Sequence, residues 1–356
     1  MTKMNNLLTA CLLTLISGYF LLPTAYGQSA MTDTPARDMD TFIAASAQTA
    51  ERLLMMFDNE RRPDMQLKFD DPDRLEWNNL PINDYPRKGI PLKEMDDEQK
   101  KMVQQLLRVT LSDMGYMQVN WIFWNDERRK RDREKANNPT AEFYGHNNYW
   151  VTVFGEPSTS EDWAWQLEGH HLSINVSFID GQVATTPLFL GADPATVPDG
   201  PFAGFEVLDI PANVGRVLMQ SLDSEQQAKA IVSDELYADI LTRSGKEPHT
   251  VAVEGLPAQE MNEAQQQMLR QIIEHYVRTY EQVPADAYLA AWEKELPEGV
   301  NFIWAGPADP GAPIYYRIQS PDFLIEFDNR SGEVNHIHSV WYDLKNKFGQ
   351  SFLGME

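Results

Sequence analysis

Cysteine is almost absent from this chain of 356 residues: Cys11 is the only one, and it lies in the first apolar stretch. A chain cleaved beyond that stretch has no disulfide, no thiolate chemistry and no Cys-based zinc site. Cations are also scarce, with 30 Lys+Arg against 53 Asp+Glu and a net charge of −23. No basic stripe offsets that excess, so nucleic acid, itself a polyanion, is excluded as a partner class. Beyond Leu22 no run approaches the roughly 20 apolar residues of a membrane-spanning helix, so no integral membrane segment is expected there. A nucleophile elbow, P-loop, dinucleotide fingerprint, HExxH motif and EF-hand are all missing. Core material is plentiful: 42% of residues are hydrophobic and 11% aromatic, which argues against a disordered chain.

The first 27 residues read as a signal peptide. Met1 to Asn6 is a polar head carrying Lys3, Leu7 to Leu22 is apolar and uncharged, and Ala25-Tyr26-Gly27 is a small-x-small end. The protein is therefore expected to be exported, periplasmic or secreted. Leu8-Thr9-Ala10-Cys11 has the form of a lipoprotein box, but Cys11 falls early in the apolar run, which weighs against lipidation. Residues 28–39 read as a linker, and 40–355 as a single large domain.

Within that domain, apolar spacing predicts helices over 40–57, from Asp96 or Asp97 to about Leu111, and over 113–136. The charge run Asp126–Lys135 reads as a solvated helix face. Strand texture takes over at Tyr149–Phe154, Trp163–Phe178 and Gln182–Phe189, with Asp180-Gly181 as a hairpin turn. Helical patterns return at 224–233, 258–282 and 284–296, followed by four short strands near 300–304, 313–319, 322–328 and 334–341. Strands and helices come in blocks, which favours an α+β fold: antiparallel sheet with helices packed alongside.

Chemistry concentrates in the histidines. Of seven, four form two tight groups, His170-His171 and His336-x-His338, and imidazole is the commonest metal ligand among side chains. In the segment from Phe323 to Trp341, Phe323, Ile325 and Phe327 share one face, while Glu326 and Asp328 share the other with His336 and His338. A bulged three-residue loop at Arg330-Ser331-Gly332 would pair Asn329 with Glu333 and set Glu326 opposite His336. On the first group, His171 falls on a polar parity with Ser173, Asn175 and Ser177, and Gly169 permits a kink that would redirect either ring. His170, His171, His336 and His338 are thus candidate ligands for Zn²⁺, Cu²⁺, Ni²⁺ or non-haem Fe²⁺, with Glu168 and Glu326 as candidate fourth ligand or general base. Histidines that merely hydrogen-bond in a polar core patch would leave the same pattern.

These residues sit in blocks that resemble the domain of unknown function (DUF) 3500 family. The blocks are Trp165-Gln166-Leu167-Glu168-Gly169-His170-His171-Leu172-Ser173, Ile231-Val232-Ser233-Asp234, Tyr315-Tyr316-Arg317-Ile318-Gln319 and Asn335-His336-Ile337-His338-Ser339-Val340-Trp341. Upstream, Trp77-Asn78-Asn79-Leu80-Pro81, Arg87-Lys88-Gly89-Ile90-Pro91-Leu92 and Val153-Phe154-Gly155-Glu156-Pro157 fit the same pattern, so that the likeness runs from about residue 70 to 350. The resemblance implies one family domain, often exported and of no established activity, that contains both histidine groups. Tyr316 and Arg317, on a strand one hairpin away, are candidates to bind an anionic substrate, Arg by its fork. Three functions follow: a metal-dependent hydrolytic or oxidative enzyme, a protein that binds metal or a small molecule without turnover, or a structural, partner-binding domain.

Overall fold

The computed structural model describes residues 38–246, 248, 251–292 and 298–354. The expected signal peptide, most of the expected linker, and His249 lie outside the described residues. The described chain belongs to one unit, Arg37–Glu356.

Helices start where the sequence supplies an acceptor for their free N–H groups. Asp38 caps α1 (Met39–Met55) by accepting from the Thr41 N–H. After the single turn of α2 (Arg62–Met65), Asp96 and Gln99 form a capping box at α3 (Asp97–Thr110), and Ser112 caps α4 (Asp113–Lys135). Farther along come α5 (Asp209–Ser221), α6 (Ser224–Ala230), α7 (Glu263–Val277) and α8 (Gln282–Trp292). Helix α5 has no counterpart among the expected helices. Pro211 and Gly215 lower its propensity, but Gly215 is what lets it lie against the Tyr316 ring, since a Cβ there would come within 2.5 Å of that ring.

The strands are β1 (Gln66–Leu67), β2 (Ile90–Pro91), β3 (Tyr149–Gly155), β4 (Trp163–Gly169), β5 (Leu172–Ile179), β6 (Gln182–Ala184) and β7 (Leu188–Ala192), then β8 (Ile231–Ser233), β9 (Leu256–Pro257), β10 (Asn301–Ala305), β11 (Tyr315–Gln319), β12 (Phe323–Asn329) and β13 (Ile337–Asp343). They build one sheet in the order β1-β3-β4-β5-β7-β13-β12-β11-β10-β8, with β2, β6 and β9 added to β3, β5 and β10. The pairs β1–β3 and β8–β10 are parallel and the rest antiparallel, so the α+β architecture holds with a mixed sheet.

Two local expectations need correction. The stretch Trp163–Phe178 is a hairpin rather than one strand: Gly169 pairs with Leu172, and His170-His171 is the two-residue turn. His171 itself takes the left-handed conformation, φ 65°, while Gly169 stays in the strand, at a place where a Cβ would strike the Tyr149 ring at 2.2 Å. The register of β12 with β13 also differs. Asn329 pairs with Ile337, Asp328 with His338 and Glu326 with Val340. The loop is longer than a bulged turn because Arg330 N–H donates to His336 O (2.8 Å) and His336 N–H to Glu333 O (2.8 Å), which closes residues 330–336 on themselves.

One sheet face is apolar and carries the main core under α1, α3, α5 and α7. The other bears a row of directly paired residues, Glu168, Ser173, Phe189, Val340, Glu326 and Arg317. Irregular chain covers this second face: Trp77 and Ile240 pack on Phe189, Leu324, Val340 and Tyr342.

Candidate metal centre

The site is built around a residue with no side chain. Gly191 on β7 pairs with His338 on β13, and on its other side its N–H donates to the carbonyl of His171 (2.8 Å). His171 and His338 thus flank Gly191, and a Cβ there would lie 3.1 Å from His171 Cδ2 and 3.0 Å from Ile337 O. Asn79 O accepts from the His171 N–H at 3.0 Å, which pins the turn to the covering loop. His336 enters from the end of the 330–336 loop, whose curvature requires left-handed Ser331 and Gly332 and is tied by Asn329 Nδ2 to Val334 O at 2.8 Å.

The three rings form a nearly equilateral triangle. Their centres are 5.0 Å apart for His171 and His336, 5.2 Å for His171 and His338, and 5.0 Å for His336 and His338. Three imidazoles on one tetrahedral ion, with bonds of about 2.0–2.1 Å, place their ring centres about 5.2 Å apart. His171 Nε2 and His336 Nε2 already approach to 3.0 Å. All three residues are buried, at 5%, 8% and 2% exposure for His171, His336 and His338, so any access is narrow.

Carboxylates stand behind the rings. His338 Nδ1 lies 2.7 Å from Asp239 Oδ1, and His336 Nδ1 lies 3.7 Å from Asp193 Oδ2 and 3.8 Å from Glu333 Oε2. The Asp239 carboxylate fixes the tautomer of His338 with the proton on Nδ1 and a lone pair on Nε2, and the more distant carboxylates bias His336 the same way. Burial, followed by the charge that neighbouring imidazoles would carry, holds His171 well below the usual histidine range; the same causes push His336 down to about 3. Burial also lowers His338. Each ring is therefore neutral at neutral pH, the form that binds metal.

The other sequence candidates fall elsewhere. His170 stacks on His171 at 3.7 Å between ring centres but points its Nδ1 at Asp126 Oδ1 (2.6 Å), outside the triangle. Glu168 accepts from Asn78 N–H (2.9 Å) and Ser173 Oγ (3.1 Å), and burial raises its pKa to about 7 against the nearby Arg87 guanidinium. Glu326 accepts from Leu241 N–H, Thr242 N–H and Oγ1, and Tyr315 Oη, binding the covering loop to the sheet. These two glutamates stand four strand spacings apart, about 19 Å, and so do not form a catalytic pair. Tyr316 and Arg317 face opposite sides of β11. The tyrosine donates to Pro211 O and stacks on Phe327, whereas the guanidinium bonds Gln319, Tyr315 and the carbonyl of Ala252. No single ligand meets both.

Apart from Glu333, the carboxylates that do surround the histidines are aspartates. Asp239 and Asp193 back the rings, Asp126 backs His170, and Asp328 lies opposite His338. The start of the Asp126–Lys135 run is not a solvated face, because Asp126 is 4% exposed and Arg129 pairs with Asp193. A signal for this existed in Asn125-Asp126, polar residues continuing the buried side of α4.

Fold and site together define an α+β protein in which a buried trio of imidazoles could hold a metal ion. The chain belongs to the family described as protein of unknown function (DUF3500), whose model matches residues 40–350. No curated protein and no solved structure matches the chain.

Proposed function

We propose that this is an exported metalloprotein with a three-histidine centre of hydrolytic type. The observation that carries the reading is the triangle of His171, His336 and His338, whose ring spacings match a tetrahedral ion with three protein ligands. Structural zinc sites close all four positions with side chains, whereas catalytic ones use three and leave the fourth to water or substrate. A divalent ion held there lowers the pKa of water toward neutrality and polarises a carbonyl or phosphoryl oxygen.

The chain's own residues then have separate tasks. Asp239 orients His338, and Asp193, charge-paired with Arg129, backs His336. Gly191 leaves the space over which the rings converge. Export supports imidazole over thiolate ligands, since histidine survives an oxidising compartment unchanged.

The test compares metal-stripped with Zn²⁺-, Cu²⁺-, Ni²⁺- and Fe²⁺-reloaded protein, purified without a histidine tag, on carboxyl and phosphate ester panels. Turnover restored by one ion and lost in His336→Ala supports the reading. Stoichiometric binding without turnover on any panel favours instead a metal-binding protein without catalysis, the reading to which the near-complete burial of the trio also points. Export is tested by N-terminal sequencing of protein from the extracellular or periplasmic fraction, which should begin at Gln28.

A further inference from the structure

Behind the trio, on the far side of the His338 ring, lies a second set of donors. Oxygens of Asp239 and Asp328 and a nitrogen of His338 lie within 4.8 Å of one another. Asp328 is fully buried on β12, directly paired with His338, and among the described residues neither of its carboxylate oxygens has a hydrogen-bond partner. An ionised carboxylate buried without donors costs several kcal/mol, so burial and the neighbouring Asp239 and Glu326 charges hold Asp328 in its protonated form, and its ionised form requires a counter-charge. The nearby cations do not supply it. Arg330 reaches Asp239 at 3.5 Å from the solvent side, and Arg317 is engaged with Gln319, Tyr315 and the Ala252 carbonyl. Glu326, on the same face, adds negative charge and is already met by four donors.

We propose that Asp239 and Asp328 hold a second divalent cation, with His338 as the ring shared between the two ions. Its ligands would be carboxylate oxygens from both aspartates and His338 Nδ1, with the protons of Asp328 and of His338 Nδ1 passing to solvent when the ion enters. His338 Nε2 continues to serve the trio, so the inference rests on the reading of that trio as a metal centre. Two carboxylates and one imidazole suit Zn²⁺, Mn²⁺ or Fe²⁺. A bridging imidazolate sets the two ions about 6 Å apart, given bonds of about 2.0–2.1 Å.

The experiment counts Zn²⁺ per chain by mass spectrometric metal analysis of the untagged full chain after equilibration with excess Zn²⁺ and gel filtration. Asp328→Asn keeps the shape of the side chain but removes the charge, and His171→Asn disables the trio while leaving all three donors of the second site. Asp239 is not used because its loss would also free the His338 ring. The expected counts are two ions for the wild type, one for each variant and none for the double variant, with far-ultraviolet circular dichroism unchanged throughout. Two ions in both the wild type and Asp328→Asn would place the second ion elsewhere and overturn the proposal. One ion in the wild type, retained in Asp328→Asn and lost in His171→Asn, overturns it while the trio stands. No ion in the wild type sinks both. Should Asp328→Asn fail to fold, His171→Asn decides alone: one ion supports the second site, and none overturns it.

Discussion

His171 Nε2 and His336 Nε2 face each other across 3.0 Å, with no room for a proton on both nitrogens. In the metal-free protein one ring must donate and the other accept, which holds His171 in the tautomer protonated at Nε2 if the carboxylates keep the proton of His336 on Nδ1. An ion resolves the conflict, because both nitrogens then present lone pairs to it and His171 carries its proton on Nδ1.

Replacing any one of the three rings should therefore remove metal-dependent stability rather than stability in general. With Zn²⁺ at 100 to 1,000 times its dissociation constant, the wild type should gain about 3–4 kcal/mol. His171→Ala, His336→Ala and His338→Ala should each lose most of that gain in thermal melts run with Zn²⁺ and with chelator.

Asp239 acts on the ion through His338. Asp239→Asn keeps the volume but weakens the bond to Nδ1, and Zn²⁺ affinity should fall about 10- to 100-fold in competition titrations with a chromophoric chelator. An unchanged affinity would mean that the ring is oriented by packing alone.

Gly191→Ala tests the floor of the site. The new Cβ would meet Ile337 O at 3.0 Å and His171 Cδ2 at 3.1 Å, so the ring must give way by a few tenths of an ångström. The expected cost is about 1 kcal/mol in denaturant melts of the metal-free protein, with Zn²⁺ binding weakened at least severalfold.

Low pH should unfold the metal-free protein through the same rings. His336 titrates at about 3 in the fold because of its burial, against about 6.5 when unfolded. Between those values the unfolded chain binds the extra proton, so this contribution is whole above pH 6.5 and is lost as pH falls toward 3, at about 1.4 kcal/mol per pH unit for one such ring. Urea midpoints measured from pH 7.5 to 4 should thus fall less steeply for His336→Gln than for the wild type.

Glu326 separates an anchor from a catalytic base. Glu326→Ala would strand the N–H groups of Leu241 and Thr242 and the hydroxyl of Tyr315, destabilising the fold by about 3–5 kcal/mol. Its Zn²⁺ stoichiometry at low temperature should match the wild type.

The sequence carried the faces of this sheet better than its registers. Alternation put Glu326, Asp328 and His338 on one side of β12 and β13, and the structure agrees, because one face must be apolar to meet the helices. The pairing slipped relative to expectation because hydrogen bonds inside the 330–336 loop, invisible to a period-two pattern, decide where pairing resumes. His170-His171 marked the right place, yet only the backbone shows that the turn aims His171 at the trio and His170 at Asp126. Asp239 and Asp193 lie 99 and 143 residues from the rings they back. No local spacing could have singled them out among 53 acidic residues.

The most direct measurement is anomalous diffraction at the absorption edge of the bound ion, from crystals of untagged protein equilibrated with Zn²⁺. The expected result is a peak within about 2.0–2.1 Å of the Nε2 atoms of His171, His336 and His338. A map with the three rings in place and no peak between them, at a Zn²⁺ concentration that saturates the protein in solution, would contradict the metal centre outright.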